Sequence, residues 1–198
     1  MSSDDVNKGR RRFLVATTTV VGGVGVGIAA VPFIKSWMPS ARAQAIGVPV
    51  EVDVTKLKKG QLLKVQWRGQ TIGVLHRTEE MVSGLSKVDD ALADPESMAS
   101  EQPEYIKGEP RALNPDYLVV NMHCTHLGCV PQMIPEVGPQ PFDENWNGGF
   151  YCPCHKSKFD LAGRVYKGVP APTNLRIPPY SFLDNTTLII GVSPKGAV

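Results

Sequence analysis

The sequence predicts an all-β, antiparallel head carrying one small inserted segment, preceded by a single N-terminal transmembrane helix. Three observations predict it. Short alternating apolar runs separated by turn residues occupy both ends of the chain beyond residue 47. An uncharged stretch runs from Phe13 to Ile34 directly behind a cluster of cations. All four cysteines, with two of the four histidines beside them, fall in two short loops, Cys124 to Cys129 and Cys152 to Ser157. A chain of 198 residues with 42% hydrophobic and 20% charged residues has room for one ordinary core and an appendage. Its formal charge of +2, with no basic stripe interleaved with aromatics, gives no reason to expect a nucleic-acid partner.

From the N-terminus, Lys8, Arg10, Arg11 and Arg12 stand before the apolar stretch. Its 22 residues span roughly 33 Å as a helix, enough to cross a hydrocarbon core. The cations should remain cytoplasmic, so the chain beyond Lys35 is expected on the far side of the membrane, where disulfides persist. Arg10 and Arg11, followed by Arg12, Phe13 and Leu14, resemble a twin-arginine export signal, whose pathway carries proteins already folded around a cofactor. Ala41 to Ala45 (ARAQA) also has the form of a signal-peptidase site. The length of the apolar stretch favours retention as an anchor. The expected division is a cytoplasmic N-terminus at 1–12, a transmembrane anchor at 13–37 and a flexible hinge at 38–47, where composition turns to Pro, Ser, Ala and Gly without apolar periodicity.

Beyond the hinge, Val48 to Val54 alternates as a strand, and LLKVQW and TIGVLH flank Arg68-Gly69-Gln70 as a hairpin. Near the C-terminus, LRIPPYSFL and TLIIGV bracket Asp184-Asn185 as a second hairpin. These outer strands are expected to pair as one antiparallel sheet, forming a base domain from 48–117 and 169–198. Thr78 caps a short helix that begins with two acids. Asp89 to Pro115 reads as a polar surface excursion. The inserted subdomain spans 118–168 and has its own strand-like pieces, YLVVNM and GFYC.

Cys124 and His126 are separated by one residue, and Cys152 and His155 by two, so each loop offers a thiolate and an imidazole. Two chemistries fit: a closed Cys2His2 zinc site of structural type, or a 2Fe-2S cluster in which two histidines replace two thiolates on one iron. Cys129 and Cys154 remain. Zinc would more naturally recruit further thiolates than leave them beside the site, whereas in an oxidising compartment they are able to tie the loops together by a disulfide.

CTHLGC with CPCH, together with GRVYKGVPAP at Gly163 to Pro172 and the N-terminal anchor, resembles the Rieske iron–sulfur proteins of respiratory quinol:cytochrome c oxidoreductases. The resemblance implies a Rieske-type β-sandwich with an inserted cluster-binding subdomain and one 2Fe-2S cluster. It assigns Cys124 and Cys152 to one iron, His126 and His155 to the other, and Cys129 to a disulfide with Cys154. Ser157 matches a serine that donates to a cluster sulfur, and GVPAP matches a proline-rich loop over the cluster. The implied role is that of a subunit, not catalytically complete alone. It takes one electron and a coupled proton from quinol, with His155 and His126 as the reactive edge, and passes the electron to a c-type cytochrome by movement of the tethered head. The implied partners are a cytochrome b subunit, a c-type cytochrome, quinol, membrane lipid and a second copy of the complex. The implied place is a bacterial inner membrane, N-terminus in the cytoplasm and head in the periplasm. A related reading is the Rieske small subunit of a periplasmic oxidase such as arsenite oxidase. Two positions depart from the family: Lys156 stands where glycine is usual, and Phe159 where many relatives carry tyrosine.

The remaining candidates read as ordinary structure. His76 is a strand-end histidine, and His123 is left out of the ligand set. Trp67, Trp146 and Phe150 are core or rim aromatics, the acids of Asp89 to Glu109 a solvated face, and Leu127, Pro170 and Pro172 a shield over the metal.

Overall fold

Asn7 opens the first element by accepting a hydrogen bond from the Arg10 amide at 3.1 Å, the side-chain capping that satisfies an otherwise orphaned helix donor. The helix it caps, α1, runs Lys8–Ser36, so it takes in the basic cluster as well as the apolar stretch. Helix α1 has no buried residue, and Phe13, Ile28 and Phe33 are about two-thirds exposed or more. An apolar helix with no protein cover is long enough to span a membrane. The computed structural model describes residues 7–40, 43, 47–106 and 108–195. Half of the expected hinge, at 41–42 and 44–46, and the first six residues lie outside the described residues. The chain divides into two units, Met1–Ala45 and Ile46–Val198.

Among its described residues the second unit contains nine strands: β1 (Val50–Asp53), β2 (Leu62–Trp67), β3 (Gln70–His76), β4 (Tyr117–Asn121), β5 (Gln132–Val137), β6 (Asn147–Tyr151), β7 (Lys158–Phe159), β8 (Tyr180–Phe182) and β9 (Thr187–Ile190). Helix α2 (Glu79–Ser83) and a 3₁₀ helix (Leu85–Ala91) lie between β3 and β4. Thr78 caps α2, its hydroxyl accepting from the Met81 amide at 3.2 Å. The β2–β3 hairpin closes through Arg68 and Gly69, with Trp67 opposite Gln70.

The outer strands do not form one sheet. They separate into two antiparallel three-stranded sheets, ordered β1-β9-β8 and β2-β3-β4, and β5-β6-β7 forms a third. A strand presents alternate side chains to opposite faces, and one six-stranded sheet would leave a whole apolar face in water. Stacking two sheets removes it: Val52, Leu188 and Ile190 share a single core with Val74, Leu118 and Val120. Strand β4, which straddles the 117/118 boundary of the sequence division, pairs with β3.

Within the polar excursion Asp90, Glu96, Glu101 and Glu104 are exposed, whereas other residues pack inward. Ile106 and Arg111 are buried. Asp94 accepts from the Met98 and Ala99 amides and the Ser100 hydroxyl, and Asp89 pairs with the buried Arg164 at 2.8 Å. The segment is thus tied to the turn after β7 through Asp89 and Arg164, and is closed on itself around Asp94.

Candidate metal centre

The ends of two strands position the two Cys/His loops. Cys124 lies three residues beyond β4, and Cys152 directly follows β6. Each loop uses the same backbone device. The Cys124 amide donates to Cys129 O at 2.8 Å and the Gly128 amide returns to Cys124 O at 2.9 Å; the Cys152 amide donates to Ser157 O at 2.8 Å and the Lys156 amide returns to Cys152 O at 2.9 Å. The corresponding turn residues, Gly128 and Lys156, both have left-handed backbones, φ 81° and 63°. Glycine adopts that conformation freely, whereas a residue with a Cβ is disfavoured there by roughly 1–2 kcal/mol. The loop has therefore not adjusted to its lysine.

These turns bring the two loops together, Cys124 against Cys152 and His126 against His155. Cys124 and Cys152 are free, buried thiols. The rings of His126 and His155 meet edge to face with centroids 4.7 Å apart. His126 Nδ1 is buried without a hydrogen-bond partner, an expensive condition for a ring nitrogen unless it serves as a ligand. His155 is exposed. Cys129 and Cys154 form a disulfide, and their sulfurs lie within 4.8 Å of each other and of Cys152 Sγ. Because two of these three sulfurs are bonded together, the donors left are two thiols and two imidazoles.

Burial pushes the Cys124 thiol above its ordinary pKa of 9.0, and the adjacent Cys152 adds to the rise, while the His126 amide and the Ser157 hydroxyl oppose it by hydrogen bonding. Loss of the thiol proton on metal binding relieves this arrangement, since a buried anion then faces a cation. Ser157 is buried, and its oxygen accepts from the Ala171 amide at 3.1 Å, which leaves its proton to donate toward sulfur. Thr125 donates to Thr173 O at 2.7 Å. The proline-rich segment is thereby strapped to both loops. Leu127 is 70% exposed and so is uncovered at the surface of its loop.

The histidines outside the loops have structural partners. His76 Nδ1 lies 2.6 Å from Leu57 O, and its ring stacks on Tyr117. His123 Nε2 accepts from the Thr71 amide at 3.3 Å. Trp146 and Phe150 are fully buried, Trp67 nearly so.

Residues that sequence reasoning passed over hold the frame beneath the loops. Arg77, Arg111 and Arg164 are all buried. Arg77 donates to Pro115 O and Pro110 O. Arg111 donates to Ala162 O, Gly163 O and Leu175 O. Arg164 pairs with Asp160 at 2.7 Å. Burial lowers the Arg77 and Arg111 guanidinium pKa values to about 10, against the opposing charge of Asp160, so both stay charged at neutral pH. No sequence signal marked this role, since arginine is ordinarily a surface residue.

With this geometry in place, comparison with known proteins is direct. Residues 48–180 match the Rieske [2Fe-2S] domain, and residues 1–40 match the model described as "Ubiquitinol-cytochrome C reductase Fe-S subunit TAT signal". The ubiquinol-cytochrome c reductase iron-sulfur subunit of Allochromatium vinosum is 55% identical over 96% of this chain and 92% of its own length. The subunits of the same description from Blastochloris viridis and Rhodospirillum rubrum are each 42% identical, over 96% and 92% of this chain and 97% and 91% of their own lengths.

Proposed function

The chain belongs to the family of Rieske iron–sulfur subunits of ubiquinol–cytochrome c reductase, an electron-transfer subunit of an oxidoreductase complex with a 2Fe-2S cluster, and from that premise we propose which residues do what. Cys124 and Cys152 hold one iron, and His126 and His155 the other, with His126 binding through Nδ1. The observation that carries this assignment is the unpartnered, buried His126 Nδ1 beside two buried free thiols and the second imidazole. When bound, the cluster supplies a one-electron acceptor whose potential is raised because two neutral imidazoles replace two thiolates.

The chain's own groups do the rest. His155, exposed at the loop edge, accepts a hydrogen bond from the quinol hydroxyl and takes its proton, a task suited to imidazole near neutral pH. Ser157 donates toward the Cys124 side of the site. The disulfide and the strap at 168–173 keep water from the buried donors.

The partners are a cytochrome b subunit, which shapes the quinol site, and a c-type cytochrome that receives the electron, in a dimeric complex. Helix α1 anchors the subunit among lipids of a bacterial inner membrane, its basic end in the cytoplasm and the head in the periplasm. The segment 38–47 is the hinge on which the head moves. Residues 48–117 and 169–198 serve as its base, and 118–168 as the cluster-binding part. The match of the N-terminal segment to a reductase-subunit signal, with near full-length similarity to reductase subunits, favours this setting over a periplasmic oxidase.

The test is purification of the intact complex from native membranes, with iron and labile-sulfide analysis, electron paramagnetic resonance and identification of haem-bearing companions. Iron, sulfide and a Rieske signal that disappears in His155→Ala support the assignment. Zinc in place of iron and sulfide overturns it.

A further inference from the structure

We propose that Lys156 is a docking contact that attracts the cluster end of the head to an acidic patch on the electron-accepting cytochrome; the proposal rests on the function given above. Three observations lead to it. Lys156 adopts φ 63° at the position where the sister loop has Gly128 at φ 81°, with the same pair of backbone bonds. The backbone gives no reason to prefer lysine over glycine there, and a strained residue held at a functional edge points to use of its side chain. Lys156 is also the only charged side chain in the three loops 124–130, 152–157 and 168–173 that surround the donors. Finally, it is exposed, and among the described residues it joins no ion pair. The neighbouring cations are engaged elsewhere: Lys158 bonds Asp143 at 2.5 Å and Lys167 bonds Asp90 O at 2.8 Å.

The chemistry of the two docking sites separates them as occupants. Quinol is a neutral, largely apolar substrate, and a site that encloses it penalises an unpaired ammonium by desolvation. An encounter between two water-exposed protein surfaces does not exclude water from its rim. There a single cation raises association with an acidic partner and leaves packing untouched. A lysine at the rim, next to the exposed His155 but outside the buried donor set, suits the aqueous encounter.

The test uses the intact complex in native membranes. The head is reduced in advance, and the rate of haem reduction in the c-type cytochrome is followed from low to high ionic strength, with the head's midpoint potential measured alongside. One charge pair about 6 Å apart in water is worth roughly a threefold change in association. Lys156→Gly, which relieves the backbone strain and so folds, is expected to slow haem reduction about threefold at low ionic strength. The deficit should vanish near 1 M salt, where the Debye length falls to about 3 Å. Lys156→Glu should slow it about tenfold, and Lys156→Arg should match the wild type. Equal low-salt rates in the Gly variant and the wild type would overturn the proposal. So would a deficit that is the same at every ionic strength and follows a shifted potential, since the lysine would then act on the cluster and not on docking. A defect confined to quinol oxidation places the contact on the other partner and also overturns it. Failure of the underlying function shows separately, as a wild-type complex without a Rieske signal or reducible haem.

Discussion

Replacing Cys129 and Cys154 together by serine removes the covalent tie between the two Cys/His loops while leaving no stray thiol. The bond closes a loop with a sequence separation of 25 residues. Chain-entropy loss for a loop of that size gives about 3.5 kcal/mol of stabilisation at 25 °C. In a head of this size each kcal/mol moves the melting midpoint by about 2–4 °C, so the double variant should melt about 10 °C lower by far-UV circular dichroism. The cluster need not be lost at low temperature, because Thr125 to Thr173 and Ser157 to Ala171 still connect both loops to the same strap. Visible absorbance should therefore remain at 10 °C and bleach earlier on heating. A melting midpoint within 2 °C of the wild type would refute the entropic estimate. Loss of absorbance at 10 °C in a folded head would refute the sufficiency of the strap.

Phe159→Tyr places a hydroxyl on a fully buried ring in the strand after the second loop; a hydrogen bond from it to sulfur stabilises the reduced state, so redox titration should show a higher midpoint potential, and no rise would sink the idea. Ser157→Ala should lower the potential in the same titration and also cost about 1 kcal/mol in denaturant unfolding, because the Ala171 amide loses its acceptor. Burial raises the Asp143 carboxyl, but its bonds to Lys158 and the Asn145 amide, with the Lys158 charge, together outweigh that and hold it below the ordinary 3.8. A folded pKa below the unfolded one adds stability above that ordinary value, lost as pH falls through the folded one. Asp143→Asn should therefore cost about 1–2 kcal/mol at pH 7, with the gap to wild type closing in acid; a gap that is constant down to pH 2 would contradict it. Gly149→Ala would bring a Cβ to 2.0 Å from Phe159 O, so β6 and β7 cannot pair as they do, and circular dichroism of the variant should show a loss of about 4 kcal/mol or failure to fold.

The parts of the molecule written in local pattern were legible from sequence. The hairpin around Arg68-Gly69, the cap at Thr78 and the apolar helix each follow from residues close together in the chain. The convergence of the two Cys/His loops was legible through motif spacing, and the Cys129–Cys154 pairing through the family resemblance. The separation of the outer strands into two sheets was not, because alternation in Val50–Asp53 and Thr187–Ile190 says which face is apolar but not which strand lies beside it. Strand β5 was also hidden. Pro135 interrupts its pattern, and the ladder to β6 shifts register between Ile134 and Val137. The roles of Arg77, Arg111 and Arg164 were least visible, since a buried guanidinium is defined by carbonyls tens of residues away.

Those arginines explain how exposed loops at one end of a small β head hold four donors in register. An apolar plug beneath the loops would exclude water but leave the carbonyls of the turn at Leu161 and Ala162 unpaired, at a cost of about 1–3 kcal/mol each. Water there would satisfy them without fixing them. The guanidinium groups do both. Arg77 reaches Leu161 O at 3.3 Å, Arg111 reaches Ala162 O at 3.0 Å, and Arg164 closes on Asp160 within the same turn. Each planar fork fixes several acceptors at once, with less rotamer freedom to lose per bond than a lysine. The turn begins at Asp160, three residues beyond Ser157, so its rigidity passes to the second ligand loop through β7. Leu175, another Arg111 acceptor at 2.9 Å, lies two residues beyond Thr173, which anchors the strap to the first loop. One buried side chain thus links the turn behind one loop to the strap over both, and donor positions held in this way need little rearrangement when an electron arrives.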